Sequence, residues 1–386
     1  MSRKQRALAV LAPALVALFF FLPAIVERLG NPVRNKGPYR ASRAAAELIA
    51  ASQPVDLHAD PLLWGRDLLQ RGTRGSVDLP RLREAGLLLQ VFGIVTQAPR
   101  KMLLLGNSID DADLVTPLSV ISLWPWRTWT SRRERALFLA ERMRDTVARS
   151  QGDLRLVLTR ADLEALLAAR ARGEHVMGAL LALEGSQALE GRLDAVDALY
   201  DAGVRMMAPT HFVDTEVAGS AHGTARGGLS ALGLAWLAKL EAKHIVVDLA
   251  HASPQTVSEV LAHATRPVVV SHTGIKATCD NPRNLSNEQL QALARNGAVI
   301  GIGYWETAVC GNGAPAIAHA LRTAADLIGP QHLSLGSDFD GAVPEPFDVT
   351  ALPLIVDALR VEKFSDDEIR GILGANALRV LLQTLP

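Results

Sequence analysis

Seven side chains of metal-ligand type close apolar runs in this chain. His58 and Asp60 end VDLHAD, Glu184 ends LALE, His211 ends APTH, His251 ends VVDLAH, His272 ends VVVSH, and Asp338 stands in LGSDFDG. Four of the ten histidines occupy such places. Imidazole and carboxylate suit zinc first, then cobalt, manganese or iron. With only Cys279 and Cys310 in the chain, no thiolate cluster competes. Singly, each residue has a bland explanation. A histidine closing an apolar run is ordinarily a hydrogen-bonded core residue, and Asp60 could cap a helix. Glu184 could pair with an arginine, and Asp338 or Asp340 could be held by backbone N–H groups in a turn. Together, on separate runs and always at the C-terminal end, they read as one metal site. A catalytic zinc takes about three protein ligands, so the set implies two ions sharing a carboxylate. Glu184, midway in chain order, is the candidate bridge. His175, His222, His244, His263, His319 and His332 read as structural or surface residues.

Such a site needs elements whose ends converge. The candidate strands are Val55–His58, Leu87–Ile94, Ala179–Glu184, Arg205–His211, Ile245–His251, Pro267–His272, Ala298–Tyr304 and Leu333–Phe339. They are near-continuous apolar runs, the mark of parallel strands buried on both faces. Helical stretches Leu229–Ala242, Ser253–Ala264, Ser286–Arg295 and Pro315–Leu327 alternate with them. Eight such units predict an α/β fold, a closed (β/α)8 TIM-type barrel whose strand ends share one mouth. A ninth strand-like run, Leu154–Arg160, leaves the closure open. Between the second and third strands, 98–150 is too long for a plain crossover. Its Trp124, Trp126 and Trp129 read as packing the insertion onto the barrel, with a lid or membrane-interface cluster as the sharper alternative.

The chain has 386 residues, 49% of them hydrophobic and 21% charged, and its 40 basic residues balance 40 acidic ones. That leaves ample material for a core and no overall field to attract nucleic acid. Arg3, Lys4 and Arg6 precede an apolar run from Ala7 to Val26, long enough to span a bilayer. Residues 1–28 therefore read as a transmembrane signal anchor, with a removed signal peptide as the alternative. Residues 29–40 read as a linker and 41–386 as the catalytic domain, placed on the outer (extracytoplasmic, in a bacterium periplasmic) side. One disulfide is possible there. A homodimer stays open.

Several strings, in order, resemble the membrane dipeptidases, a binuclear zinc peptidase family. They are VDLHAD, LEG, MAPTH with a Gly-rich loop, GLSALG, VVDLAHAS, VVVSHTG, NPRNL, GSDFDG and GANALRVL. The resemblance implies that His58 and Asp60 hold one zinc and His251 and His272 the other, with Glu184 bridging. It implies that His211 polarises the scissile carbonyl of a dipeptide substrate. Arg283 would clamp the free C-terminal carboxylate, and Asp338 would carry protons. It further implies a disulfide between Cys279 and Cys310. Two ions sharing a water lower its pKa toward ~7, leaving a metal-bridging hydroxide at neutral pH. Asp56 and Asp248 are candidate supports for the ligands, or carboxylates satisfied by nearby backbone donors. The string THFVDTEVAG departs from the family's animal members, so the substrate pocket is expected to differ. The alternative functions are a related binuclear hydrolase acting on other amides or lactones such as β-lactams, and a barrel that binds without catalysis.

Overall fold

The computed structural model describes residues 20–386. The expected anchor therefore lies mostly outside the described residues. Residues 20–30 are helical, and no described helix is long and apolar enough to cross a membrane.

Nine parallel strands carry the fold: β1 (Val55–Ala59), β2 (Leu89–Val95), β3 (Leu154–Leu156), β4 (Met177–Glu184), β5 (Val204–Met207), β6 (Val246–Val247), β7 (Val269–Thr273), β8 (Val299–Ile302) and β9 (Leu333–Leu335). Eight follow one another in the order β6-β5-β4-β2-β1-β9-β8-β7. A single bridge between Asp248 and Val269 joins the two ends of that order, so the sheet curls into a barrel. The ninth run is a strand outside the ring. β3 pairs with Met177–Ala179 of β4, whereas β5 takes Leu181–Leu183 of the same edge.

Along β1, residues alternate between faces. Val55 and Leu57 join Leu89, Val91, Leu180 and Met206 in an apolar cluster that also holds Leu163 and Leu381. Each such side chain contributes about 1.5–3 kcal/mol by burial. Asp56 and His58 point the opposite way. Helices begin where the sequence supplies caps: Ser230, Ser253 and Ser286 each accept the N–H three residues on. The C-terminal helix is interrupted. After the capping box of Ser365 and Glu368, Gly371–Ala375 forms a π turn before Asn376–Thr384. Gly374 lies against the Gln53 carbonyl, where a Cβ would come within 1.9 Å of the oxygen.

Residues 27–35 lie against the barrel. Glu27 is buried and pairs with Arg66 and Arg74, and Arg66 also pairs with Asp340. Asn31 accepts from Ala342 N–H, and Val33 bridges to Glu345.

Candidate metal centre

β1 carries His58, and Asp60 follows one residue after its end; β4 ends on Glu184 and β7 contains His272. His211 and His251 lie beyond their strands, because β5 stops at Met207 and β6 at Val247. The expected strands Arg205–His211 and Ile245–His251 run too far. Past those points the ladder thins to single bonds, Ala208 N–H to Leu183 O and Asp248 N–H to Met207 O. The chain then turns, placing His251 at φ 62° and Asp338 at φ 61°. Non-glycine residues hold this left-handed region only where the surroundings over-determine it. Here the His251 carbonyl accepts Ala221 N–H at 2.7 Å and the Thr210 hydroxyl at 3.2 Å, while Asp338 N–H donates to His58 O.

All seven candidates converge and are buried. His58 Nε2 lies 3.4 Å from Asp60 Oδ1, 3.5 Å from Glu184 Oε2 and 4.0 Å from Asp338 Oδ1. The other Glu184 oxygen, Oε1, lies 3.2 Å from His251 Nε2 and 3.5 Å from both His272 Nε2 and His211 Nε2. Donor atoms around one ion at about 2.0–2.1 Å sit a little over 3 Å apart, and three overlapping groups of these residues could hold a metal ion. Orphaned atoms fit that reading. His58 Nε2, Asp60 Oδ1 and Glu184 Oε2 are buried without a hydrogen-bond partner, and the His251 and His272 Nε2 atoms face each other at 2.9 Å. A cation satisfies such lone pairs; the protein alone does not.

The bland alternatives fail here one by one. Asp60 makes no side-chain cap bond, and Glu184 faces histidines rather than an arginine. Asp340 too is held from across the fold rather than by its own turn, accepting Ser76 N–H and Val77 N–H and pairing with Arg66. Asp248 is satisfied by backbone donors, accepting Ala250 and Ser271 N–H. Asp56 accepts from side chains as well as backbone, from Ser337 N–H, the Ser337 hydroxyl and the Gln90 amide, clipping neighbouring strands together.

Charge follows from burial and neighbours. Burial opposes ionisation of Glu184, but His211 and His58 outweigh it and hold the carboxyl well below the usual range. Burial also lowers His58, yet Asp60 and Glu184 beside it raise it well above normal. Burial keeps His251 and His272 well below the normal imidazole value, in the neutral form that metals bind. Asp60 is pushed up to about 6 by burial and then by Glu184. Asp338 is raised well above an ordinary carboxyl by burial, with Asp60 and Glu184 adding to it.

A cavity of about 310 Å³ opens over this cluster. Arg283 lines it, 6% exposed, donating to His272 O at 2.6 Å and Thr273 Oγ1 at 3.2 Å. No carboxylate lies within ion-pair distance of its guanidinium among the described residues. The loop bearing it is tied to the segment after β8 by a disulfide, Cys279–Cys310.

Two residues of the site escape a reading by residue type. Gly93 on β2 makes room: a Cβ there would come within 2.0 Å of Asp60 Oδ1. A glycine inside an apolar strand is the signal of such a close approach. His222, expected to be structural or at the surface, lines the cavity instead. Burial pushes its pKa down to about 3. Beside it stands 101–105, part of the 98–150 insertion, with Met102 and Leu104 also lining the cavity. Of the three tryptophans, only Trp124 is buried; Trp126 is 80% exposed and Trp129 39%.

Residues 42–385 match the model of the membrane dipeptidases, peptidase family M19. The chain belongs to this family. M19 peptidases are hydrolases that act on dipeptides. A Klebsiella pneumoniae protein named only for its place beside pqqA is 29% identical over 62% of this chain and 92% of its own length. Dipeptidase aclJ of Aspergillus oryzae is 33% identical over 53% of this chain, and the match spans about half (51%) of the fungal protein. Two solved structures superpose along most of the chain. The Rhodobacter sphaeroides metallo peptidase, solved with a phosphinate mimic of L-Ala-D-Ala, gives a TM-score of 0.71 at 20% identity, over 86% of this chain and 99% of that one. The probable dipeptidase PvdM of Pseudomonas aeruginosa gives 0.74 at 17% identity, over 89% and 98%.

Proposed function

We propose that this chain is a zinc-dependent dipeptidase with two ions bridged by Glu184, one held by His58 and Asp60 and the other by His251 and His272. The observation that carries the dipeptide reading is Arg283, a buried cation without a carboxylate partner, lining the same cavity as the donor cluster. Burial lowers it to about 10, which leaves it protonated at neutral pH and short of an anion. A free α-carboxylate supplies one, and a planar guanidinium grips it with two parallel bonds. The two-ion reading is supported by the way Glu184 turns one oxygen to His58 and the other to His251 and His272. That the R. sphaeroides fold was solved with a dipeptide mimic supports the same substrate class.

When bound, the ions polarise the scissile carbonyl and acidify a water. The chain's own groups do the rest. Arg283 sets the substrate's direction. His211, held by its Nδ1 on the Gln97 carbonyl at 3.3 Å, presents Nε2 to the cavity, where it would orient and polarise the scissile carbonyl. Asp338, with its raised affinity for a proton, takes one from the attacking water and returns it to the departing amine as the C–N bond breaks.

The membrane anchor belongs to the same proposal. Phe21, Ile25 and Leu29, spaced four apart on the described part of the N-terminal helix, are exposed, and a lipid-facing stripe has this form. The Cys279–Cys310 disulfide suits an extracytoplasmic compartment.

Elemental analysis beside amino-acid release from L-L and L-D dipeptides tests the reaction. About two zinc ions per chain with cleavage is expected. Arg283→Ala should lower kcat/KM on free dipeptides by roughly 10–100-fold, the worth of a charged hydrogen bond. Dipeptides amidated at the C-terminus should be nearly unaffected, and equal losses on both would remove the clamp.

A further inference from the structure

His222 belongs to the loop between β5 and the helix Ala231–Lys243, where glycines and serines leave no periodic pattern. Its ring is held from several directions. Nδ1 lies 3.1 Å from the Leu104 carbonyl oxygen. Its N–H donates to Ser220 Oγ, and its carbonyl accepts Asn107 N–H. Phe212 and His251 lie against it with ring centroids 4.7 and 5.2 Å away. A carbonyl only accepts, so Nδ1 carries the proton and Nε2 is left with its lone pair. That Nε2 is buried and meets no partner. An acceptor desolvated and unpaired is unfavourable, and a ligand donor relieves it.

The lining of the cavity limits which donor. Its carboxylates and the other histidines belong to the metal cluster, while Arg283 and Lys101 are cations. Thr307 stands on the Arg283 side, its carbonyl accepting from Asn281 and Asn284 of the same loop. Away from that loop, His222 is the acceptor left over.

We propose that His222 Nε2 accepts a hydrogen bond from the free α-amino group of the substrate, making this residue the reader of the amino terminus. The inference rests on the dipeptide reading and supplies its second end: Arg283 takes the carboxylate and His222 the ammonium.

The test uses the zinc-loaded full chain and His222→Asn. Asparagine keeps an N–H able to reach the Leu104 carbonyl but has no Nε2. The measured quantities are KM for Ala-Ala and the inhibition constant of its des-amino analogue, propionyl-alanine. Wild type should favour the free amine by about tenfold or more, the worth of a hydrogen bond to a charged group. In His222→Asn that preference should shrink to about twofold, with kcat changing less than about threefold and thermal midpoint unchanged. A preference as large in the variant as in wild type overturns the proposal. His222→Ala, which loses the Leu104 bond as well, should also lose thermal stability; a preference surviving there counts against the proposal in the same way. Failure of wild type to cleave any dipeptide sinks the underlying reading instead, a result distinct from an unchanged preference.

Discussion

The floor and the wall of the cavity are built by opposite means. On the floor, His58, Asp60, Glu184 and His272 sit in or just beyond strands of the barrel, all buried, with partners on either side. In the wall, Met102 and Leu104 are 37% and 44% exposed and lie on an insertion rather than a strand. The wall is held by a few bonds, Asn107 to both ends of the Leu103 backbone and His222 to Leu104. The floor must keep charged donors within a few ångströms of each other, which only a rigid frame does. Met102 and Leu104 give the wall an apolar lining, which is all that a substrate side chain docked there would need. Floor changes should therefore alter metal and turnover, and wall changes should alter preference.

The strongest test removes the shared charge. Glu184→Gln keeps the shape but cannot bridge two cations. Metal content should fall below two per chain, and kcat/KM should drop on the order of 10³-fold or more. Retention of both ions would break the link between floor and metal. Next, Gly93→Ala puts a methyl against Asp60. Weaker metal at the His58–Asp60 half and about a 10–100-fold loss of activity are expected; isothermal titration of the apoprotein with zinc reads it directly.

Acid should act on the same half. In the metal-free protein His58 holds its proton to well above its ordinary value, and Asp60 titrates near 6. Zinc must displace the His58 proton at neutral pH and, below about 6, the Asp60 proton too. Affinity then falls as pH drops, with a slope that steepens through 6 by about one further proton per ion. A chelator competition series across pH 5–8 would show a straight line instead if Asp60 is not a ligand. The mildest change is in the wall. Leu104→Ala should shift kcat/KM between dipeptides with large and small apolar side chains by roughly tenfold, leaving metal content alone.

This contrast also explains what could be read in advance. His58, Glu184 and His272 stand out because the strands before them are mostly apolar, so a donor side chain at the end has little camouflage. The eight-strand ring was visible for the same reason, and the run at Leu154 proved a true strand placed outside it. His211 and His251 were found by type but assigned to strands that end four residues earlier, since apolar character continues after the ladder has gone. His222 offered nothing comparable: a histidine in a Gly-rich loop looks the same whether it meets solvent or a cavity. Gly93 is a matter of space, and spacing in sequence does not report which side chain from another strand will need it.

The buried Glu27 has a practical consequence for anyone shortening this protein. A chain begun at residue 41, where composition suggests the domain starts, would lack Glu27 and Asn31. Arg66 would then face Asp340 with one of its two buried carboxylates gone, and breaking a buried pair costs about 3–5 kcal/mol. Because Asp340 lies two residues from Asp338, the damage would fall beside the catalytic mouth. A soluble version should therefore begin ahead of Glu27, with the exposed Phe21 and Ile25 replaced by polar residues.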